Sequence, residues 1–346
     1  MTSTLFSLFV FCIICSSLLI IAFRPAWEEW RRPTDSKPLP VSPNYSSEID
    51  HFASRFRAIA LAMIDKNGRA PDQKFAFVPR DPDQFDWTKS PLPLMSTQSI
   101  KTRNAVRCKV PLFVDGNMES SGGDSFKAIY VQGTLSLGSN SRILEWAHAD
   151  ADVVFGASCN APRRMSSTVA VNLDDGCSFE RISAPIVRFG ARLPIEPRNG
   201  DADLVEETFA SVPQAIRRTD SLYMIKGDCD LPAGKTYRGS LVVTGYLSIG
   251  AGTRIIGDVK ARMGIVVGAG AVIGGSLICE KKIQILEQAC IKGPVISETV
   301  ILIGACSRIG IPEIPTTLSA KNIIAESGVV AHGTVWATEL GVVWSI

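Results

Sequence analysis

The sequence predicts an all-β chain: a three-sided parallel β-helix of 18-residue coils in two related modules, preceded by one N-terminal transmembrane helix. Three observations carry this. Residues 5–23 are a run of 19 without a charged side chain. From Leu231 onward aliphatic residues and glycines recur every 18 positions. The segment 128–143 reappears 112 positions later as 240–255.

The first element is the apolar run. As a helix, Leu5–Phe23 extends roughly 28 Å at 1.5 Å per residue, close to the thickness of a bilayer's hydrocarbon layer. The leader Met1–Thr4 has no charged side chain, whereas Arg24, Arg31 and Arg32 follow with Trp27 and Trp30. Residues 1–32 therefore read as an uncleaved anchor with its flank rather than a signal peptide. Leu5, Phe9, Ile13, Leu18, Phe23, Trp27 and Trp30 are its expected membrane contacts. The positive-inside rule puts the rest of the chain in the cytoplasm, as a single-pass protein of the inner membrane. The thiols beyond the anchor, Cys108, Cys159, Cys177, Cys229, Cys279, Cys290 and Cys306, are odd in number, as suits a reducing compartment.

Residues 33–106 read as a juxtamembrane linker. Within it Ser47-Glu48-Ile49-Asp50 fits a capping box, and Ile49, Phe52, Phe56, Ile59 and Met63 follow at steps of three and four. This predicts an amphipathic helix over 47–66. It either lies on an anionic leaflet through Arg55 and Arg57 or packs on the soluble domain. Residues 69–105, with prolines at 71, 79, 82, 91 and 93, show no sustained period.

The β-helix modules are expected over 107–193 and 222–346, with a polar insert at 194–221. In the second, equivalent segments start at Leu231, Ile249, Val267, Ile285 and Ile303. Six places on stand Tyr237, Ile255, Ile273, Ile291 and Ile309; ten places on stand Leu241, Val259, Leu277 and Val295. In the first, Leu135, Val153 and Val171 hold the same spacing, as do Ile143, Ala161 and Phe179. Alternating aliphatics mark short strands, and glycines mark the bends between them. Coils of equal length then stack like on like about 4.8 Å apart. The loop Ile311–Lys321 interrupts the last coils. At the C-terminal end Val335, Trp336, Val342, Val343 and Trp344 either cap the open coil or form an assembly contact.

Chemistry is sparse by comparison. With 36 Lys+Arg against 34 Asp+Glu there is no basic surplus for nucleic acid. Only three histidines occur, and the nine cysteines include no Cys-x-x-Cys beyond the anchor, so neither a zinc site nor a disulfide framework is expected. His148 and His332 are the histidines within the repeats. Asp150, Asp152, Asp174 and Asp175 form an acidic cluster, read as solvated loop residues. Gly268-Ala-Gly270-Ala-Val-Ile-Gly274 belongs to the 18-residue register rather than to a dinucleotide loop. Cys279, Cys290 and Cys306 read as small core residues. No catalytic residue, cofactor or metal is assigned.

The stretches Leu247-Ser-Ile-Gly-Ala-Gly-Thr-Arg-Ile-Ile-Gly-Asp-Val and Ile265-Val-Val-Gly-Ala-Gly-Ala-Val-Ile-Gly-Gly-Ser-Leu resemble the bactofilins. The resemblance is best over 223–310, weaker over 128–190 and absent before 107. It implies a right-handed β-helix and a non-enzymatic, polymer-forming cytoskeletal scaffold at the membrane. It also implies self-association without nucleotide and cell-envelope proteins as partners. Two modules with an insert, and a long spacer after the anchor, depart from the usual single compact β-helix. The rival reading is a hexapeptide-repeat acyltransferase, whose left-handed β-helix shares the 18-residue coil. Thr253, Ala271, Ala289 and Ser307 would supply its small residues and His332 its general base.

Overall fold

The computed structural model describes residues 2–31, 49–64, 74–192 and 206–345. It separates into two units, 1–47 and 48–346. The described part of the first is helix α1, Thr2–Arg31. Phe9, Ile13, Leu18, Phe23 and Trp27 are exposed on it, while the side chains of Leu5 and Trp30 lie outside those described. Among the described residues no helix is long and apolar enough to cross a membrane, so the expected crossing is not supported. A span needs about 20 consecutive apolar residues. Arg24, Glu28 and Arg31 charge the last third of α1.

The second unit is a β-solenoid of about 14 turns. Its period follows from the inner ladders. One runs Ala76, Leu94, Leu112, Ile129, Ala147, Met165 and Ile182, each paired in parallel with the next. Ile182 then faces Val335, and the ladder continues through Leu318, Val295, Leu277, Val259, Leu241 and Tyr223. The aliphatic members of this column from Leu94 to Leu241 are all at most 2% exposed. Burying each Val, Leu, Ile or Met contributes about 1.5–3 kcal/mol, which is why strands as short as three or four residues persist in the second module.

The join between modules is the feature the repeat does not encode. Strand Ser178–Phe189 closes the first module and pairs antiparallel with Val329–Trp344, which closes the second. The modules thus meet tail to tail, and the last coil of each covers the unpaired N–H and C=O groups of the other. Val343 N–H donates to the Cys177 carbonyl and Gly176 N–H donates to the Val343 carbonyl, both at 2.9 Å. Phe179 faces Gly341 across the join, and a β-carbon on Gly341 would sit 2.2 Å from the Phe179 ring. Only glycine fits there.

Both outer ends are closed as well. At the head of the first module Trp87 is buried against the core, with Phe85 5.3 Å away edge-on. At the head of the second, Phe209 is fully buried and stacks on Tyr237 at 4.9 Å with the rings 7° from parallel. The polar insert expected at 194–221 is therefore in part a lid. Glu206–Thr208 pairs with Thr236–Arg238, and Glu206 and Glu207 bind Arg238 and Lys235. Residues 193–205, including Asp201 and Asp203, lie outside the described residues.

The linker expected over 33–106 is corrected in the same way. Ala76–Phe77, Leu94–Ser96 and Ile100–Lys101 already belong to the solenoid, about two coils before 107. Leu94 and Leu112, and Ile100 and Met118, carry the 18-residue step, but the intervening prolines break the strand pattern around them. The amphipathic helix forms as α2, His51–Ile64, and packs on the solenoid. Its buried side is the expected one in part: Ile49 is buried, and Phe56 and Met63 pack on the core. Ala53 and Ala60 are inside, while Phe52 and Ile59 are about half exposed. Small residues let the helix approach a sheet face already filled by Phe75, Met95, Phe113 and Tyr130.

Candidate functional site

Outer side chains of the first module stack on the same rungs as the inner ones. Met95, Phe113, Tyr130, His148 and Ser166 form one outer column. The Phe113 and Tyr130 rings lie 5.5 Å apart, and Tyr130 and His148 5.1 Å apart, both stacked. Helix α2 covers the aromatic part of this column, with Phe56 5.6 Å from Trp146.

A chain of hydrogen bonds runs along the column. His148 Nδ1 is 2.8 Å from Ser166 Oγ, and its Nε2 is 3.2 Å from Asp150 Oδ1. Tyr130 donates to the same Asp150 oxygen at 2.6 Å, and Arg57 of α2 reaches the other at 3.7 Å. With Nε2–H donated to Asp150, Nδ1 accepts from Ser166. Burial holds the His148 pKa below its ordinary value, so the ring is neutral at pH 7. Burial and then Asp150 push the Tyr130 phenol up. A serine donating to an imidazole that a carboxylate orients has the form of a nucleophilic site. Yet His148 is 5% and Ser166 6% exposed, and neither lines a groove described below. The arrangement fastens Arg57, and with it α2, to the solenoid. The sequence reading names no Ser-His-Asp relation here, although Ser166 stands one 18-residue step after His148 and so on the next rung.

The other expected residues are placed as follows. His332 is 7% exposed, and its Nδ1 donates to the Pro185 carbonyl at 3.0 Å across the join. Among the described residues no group of three or more His, Cys, Asp or Glu is placed to hold a metal ion. In the acidic cluster, Asp174 accepts from the Asp175 backbone N–H at 2.7 Å. Thr253, Ala271, Ala289 and Ser307 are buried at one inner corner, where Thr253 donates to the Pro232 carbonyl and Ser307 to that of Leu286. Cys108 and Cys229 are buried, which pushes their thiols up to about 11, and burial also raises Cys279 and Cys290. Such thiols are poor nucleophiles. Trp336, Val342, Val343 and Trp344 all lie on the strand that closes the join, with Val343 fully buried, Trp336 39% exposed and Trp344 57% exposed.

Two grooves mark the side faces. One, of about 580 Å3, lies on the second module and includes Leu286, Leu302, Ile324 and Trp344 with Gln284 and Glu287. The other, of about 630 Å3, straddles the join beside α2. It is built on a second outer column in which Trp146, Arg164, Arg181 and Trp336 occupy successive rungs. The Arg164 guanidinium lies 4.8 Å from the Phe52 ring centre, and that of Arg181 lies 4.9 Å from the Trp336 ring. Arg163, Glu145, Glu180 and Leu144 complete the wall. Burial, then the neighbouring Arg164 charge, lowers the Arg181 pKa, although a guanidinium this basic stays charged. Trp146 and Arg164 share the 18-residue step in the sequence, but nothing there brings Trp336 beside Arg181. No family model, no curated protein and no solved structure matches this chain.

Proposed function

We propose that the chain is a structural scaffold, a β-solenoid held at a lipid bilayer by α1 and presenting its side faces to cell-envelope proteins. The observation that carries the reading is the interior. Stacked aliphatic ladders fill it through about 14 turns, and both ends are closed by buried aromatics. Surface for recognition is then left on the sides, where Trp336, Trp344 and the arginines lie. The membrane part rests on the uncharged run 5–23 and on the exposed apolar side chains of α1. A cytoplasmic location rests on Arg24, Arg31 and Arg32 beside that run.

The bactofilin resemblance adds self-association, and a right-handed coil, to this reading. Stacking end to end needs an open terminal coil. Here the tails of both modules are paired with each other and both heads are covered, so we place self-association on a side face, through Leu286, Leu302, Ile324 and Trp344. The test is light scattering and negative-stain microscopy of the full chain in detergent, without nucleotide. Finite particles, reduced in size by Trp344→Ser, are expected. Long filaments growing from the solenoid ends would overturn this assignment. Flotation with liposomes tests the anchor: the full chain should float, and the chain lacking residues 1–48 should not.

A further inference from the structure

We propose that Cys159 and Cys177 form a reversible disulfide, made by exchange with a small-molecule disulfide, which fastens the last coils of the first module beside the join. Of the nine cysteines only these two stand 18 positions apart. Stacking makes them neighbours: Asn160 pairs with Ser178, and the Ser178 N–H donates to the Cys159 carbonyl at 2.9 Å. Adjoining rungs lie about 4.8 Å apart. That is inside the Cα separation of about 4.4–6.8 Å that a disulfide spans.

The second module shows what this corner needs for folding. Segment 128–143 aligns with 240–255, so Ser141, Cys159 and Cys177 hold the corner that Thr253, Ala271 and Ala289 hold there. Each thiol donates to a carbonyl 21 positions back, Cys159 to Gly138 at 3.3 Å and Cys177 to Gly156 at 3.2 Å. Thr253 and Ser307 do the same for Pro232 and Leu286, at 2.7 and 2.9 Å. A hydroxyl, or an alanine, is thus enough for the coil. Two thiols on successive rungs add a chemistry that neither supplies.

The two sulfurs are unequal. A hydrogen bond with the Cys177 thiol holds the Cys159 pKa below its ordinary value, while that same bond and burial push Cys177 up. The thiolate is the attacking form. Cys159 therefore gives up its proton and attacks one sulfur of the oxidant RS–SR, releasing a thiolate that takes the Cys177 proton. The Cys177 sulfur then attacks the Cys159 sulfur of the mixed disulfide and releases the second thiolate, which recovers the proton Cys159 had lost. The protein gives up two electrons and two protons, and the oxidant leaves as two RSH. Both cysteines are 1% exposed, but each follows an exposed residue, Ser158 or Gly176. The oxidant reaches them when the last rung opens locally. Once made, the bond ties that rung to the one before it and opposes further opening.

The test incubates the folded full chain in detergent with graded ratios of oxidised to reduced glutathione, then alkylates free thiols and maps the peptides by mass spectrometry. A Cys159–Cys177 cross-link is expected, reversed by excess reduced glutathione. Cys177→Ser should instead hold glutathione on Cys159, at least tenfold more than Cys159→Ser holds on Cys177. Both variants should fold, since Ser307 fills this corner in the second module, and circular dichroism melts check that. In the cross-linked chain the Gly176 amide, bonded to Val343 across the join, should exchange at least tenfold more slowly. Four results would overturn the proposal: no cross-link at the most oxidising ratio, a cross-link formed only in denaturant, glutathione held no better by Cys177→Ser than by Cys159→Ser, or unchanged exchange at Gly176.

Discussion

Replacing Gly341 by alanine is the sharpest probe of the tail-to-tail join. An ideal β-carbon there lies 2.2, 2.4 and 2.5 Å from Cε2, Cζ and Cδ2 of Phe179. Carbon atoms normally rest about 3.5–4.0 Å apart, so the added methyl overlaps the ring by more than ~1 Å. The ring has little room to turn away, being 2% exposed and 5.6 Å from the Phe189 ring. Overpacking of this kind costs about 1–3 kcal/mol, and Gly341→Val should cost more. The damage should be local, since a solenoid transmits strain mainly to neighbouring coils. Hydrogen exchange is the fitting assay, read at the amides of Gly176 and Val343, whose bonds cross the join. Those amides should lose protection in Gly341→Ala, while that of Gly274, bonded to Ile255 within the second module, keeps it. A Phe179→Ala background should relieve the effect, because the clashing atoms are then gone. If Gly341→Ala melts within about 0.5 kcal/mol of wild type with those amides still protected, the two modules do not meet as described.

Other consequences can be checked in parallel. Ile273→Asp and Ile291→Asp each place a charge at a fully buried ladder position, so either should destabilise the second module by several kcal/mol; an unchanged melting curve would contradict the ladder. Phe209→Ala removes the lid of the second module, with an expected cost of about 3–5 kcal/mol and new concentration-dependent association by light scattering. His148 supplies a pH dependence. Its folded-state pKa lies below the unfolded value of 6.5, so the unfolded state takes up its proton first as pH falls. Stability is therefore full above about pH 6.5 and declines between that value and the folded pKa, a loss that His148→Gln should abolish. A stability profile that is the same in both proteins between pH 7 and 5 would remove His148 from the latch.

Much of the architecture was legible because it is periodic. Ile255, Ile273, Ile291 and Ile309 stack as their spacing says, as do Leu135, Val153 and Val171. The early coils escape the pattern because Leu94 and Ile100 stand among prolines; at α2, Ile49, Phe56 and Met63 face the core as their spacing says, but hydrophobicity favours Phe52 and Ile59 over the buried Ala53 and Ala60. In the site, Trp146 and Arg164 could have been paired by the 18-residue step. The same step joins His148 to Ser166; the meeting of Arg181 with Trp336, and the packing of α2 on the solenoid, are contacts of the folded chain.

What the sequence determined by itself is the coil: equal turns put equivalent aliphatics above one another, and burial of those side chains is driven by their own identity. What only the tertiary structure decided is the polarity of the two modules. An open coil edge offers backbone N–H and C=O groups that every residue but proline carries, so the pairing of one tail with the other leaves almost no trace in side-chain pattern. Gly341 opposite Phe179 is the trace it does leave. The arginine column and its flanking tryptophans exist as one surface only because of that pairing.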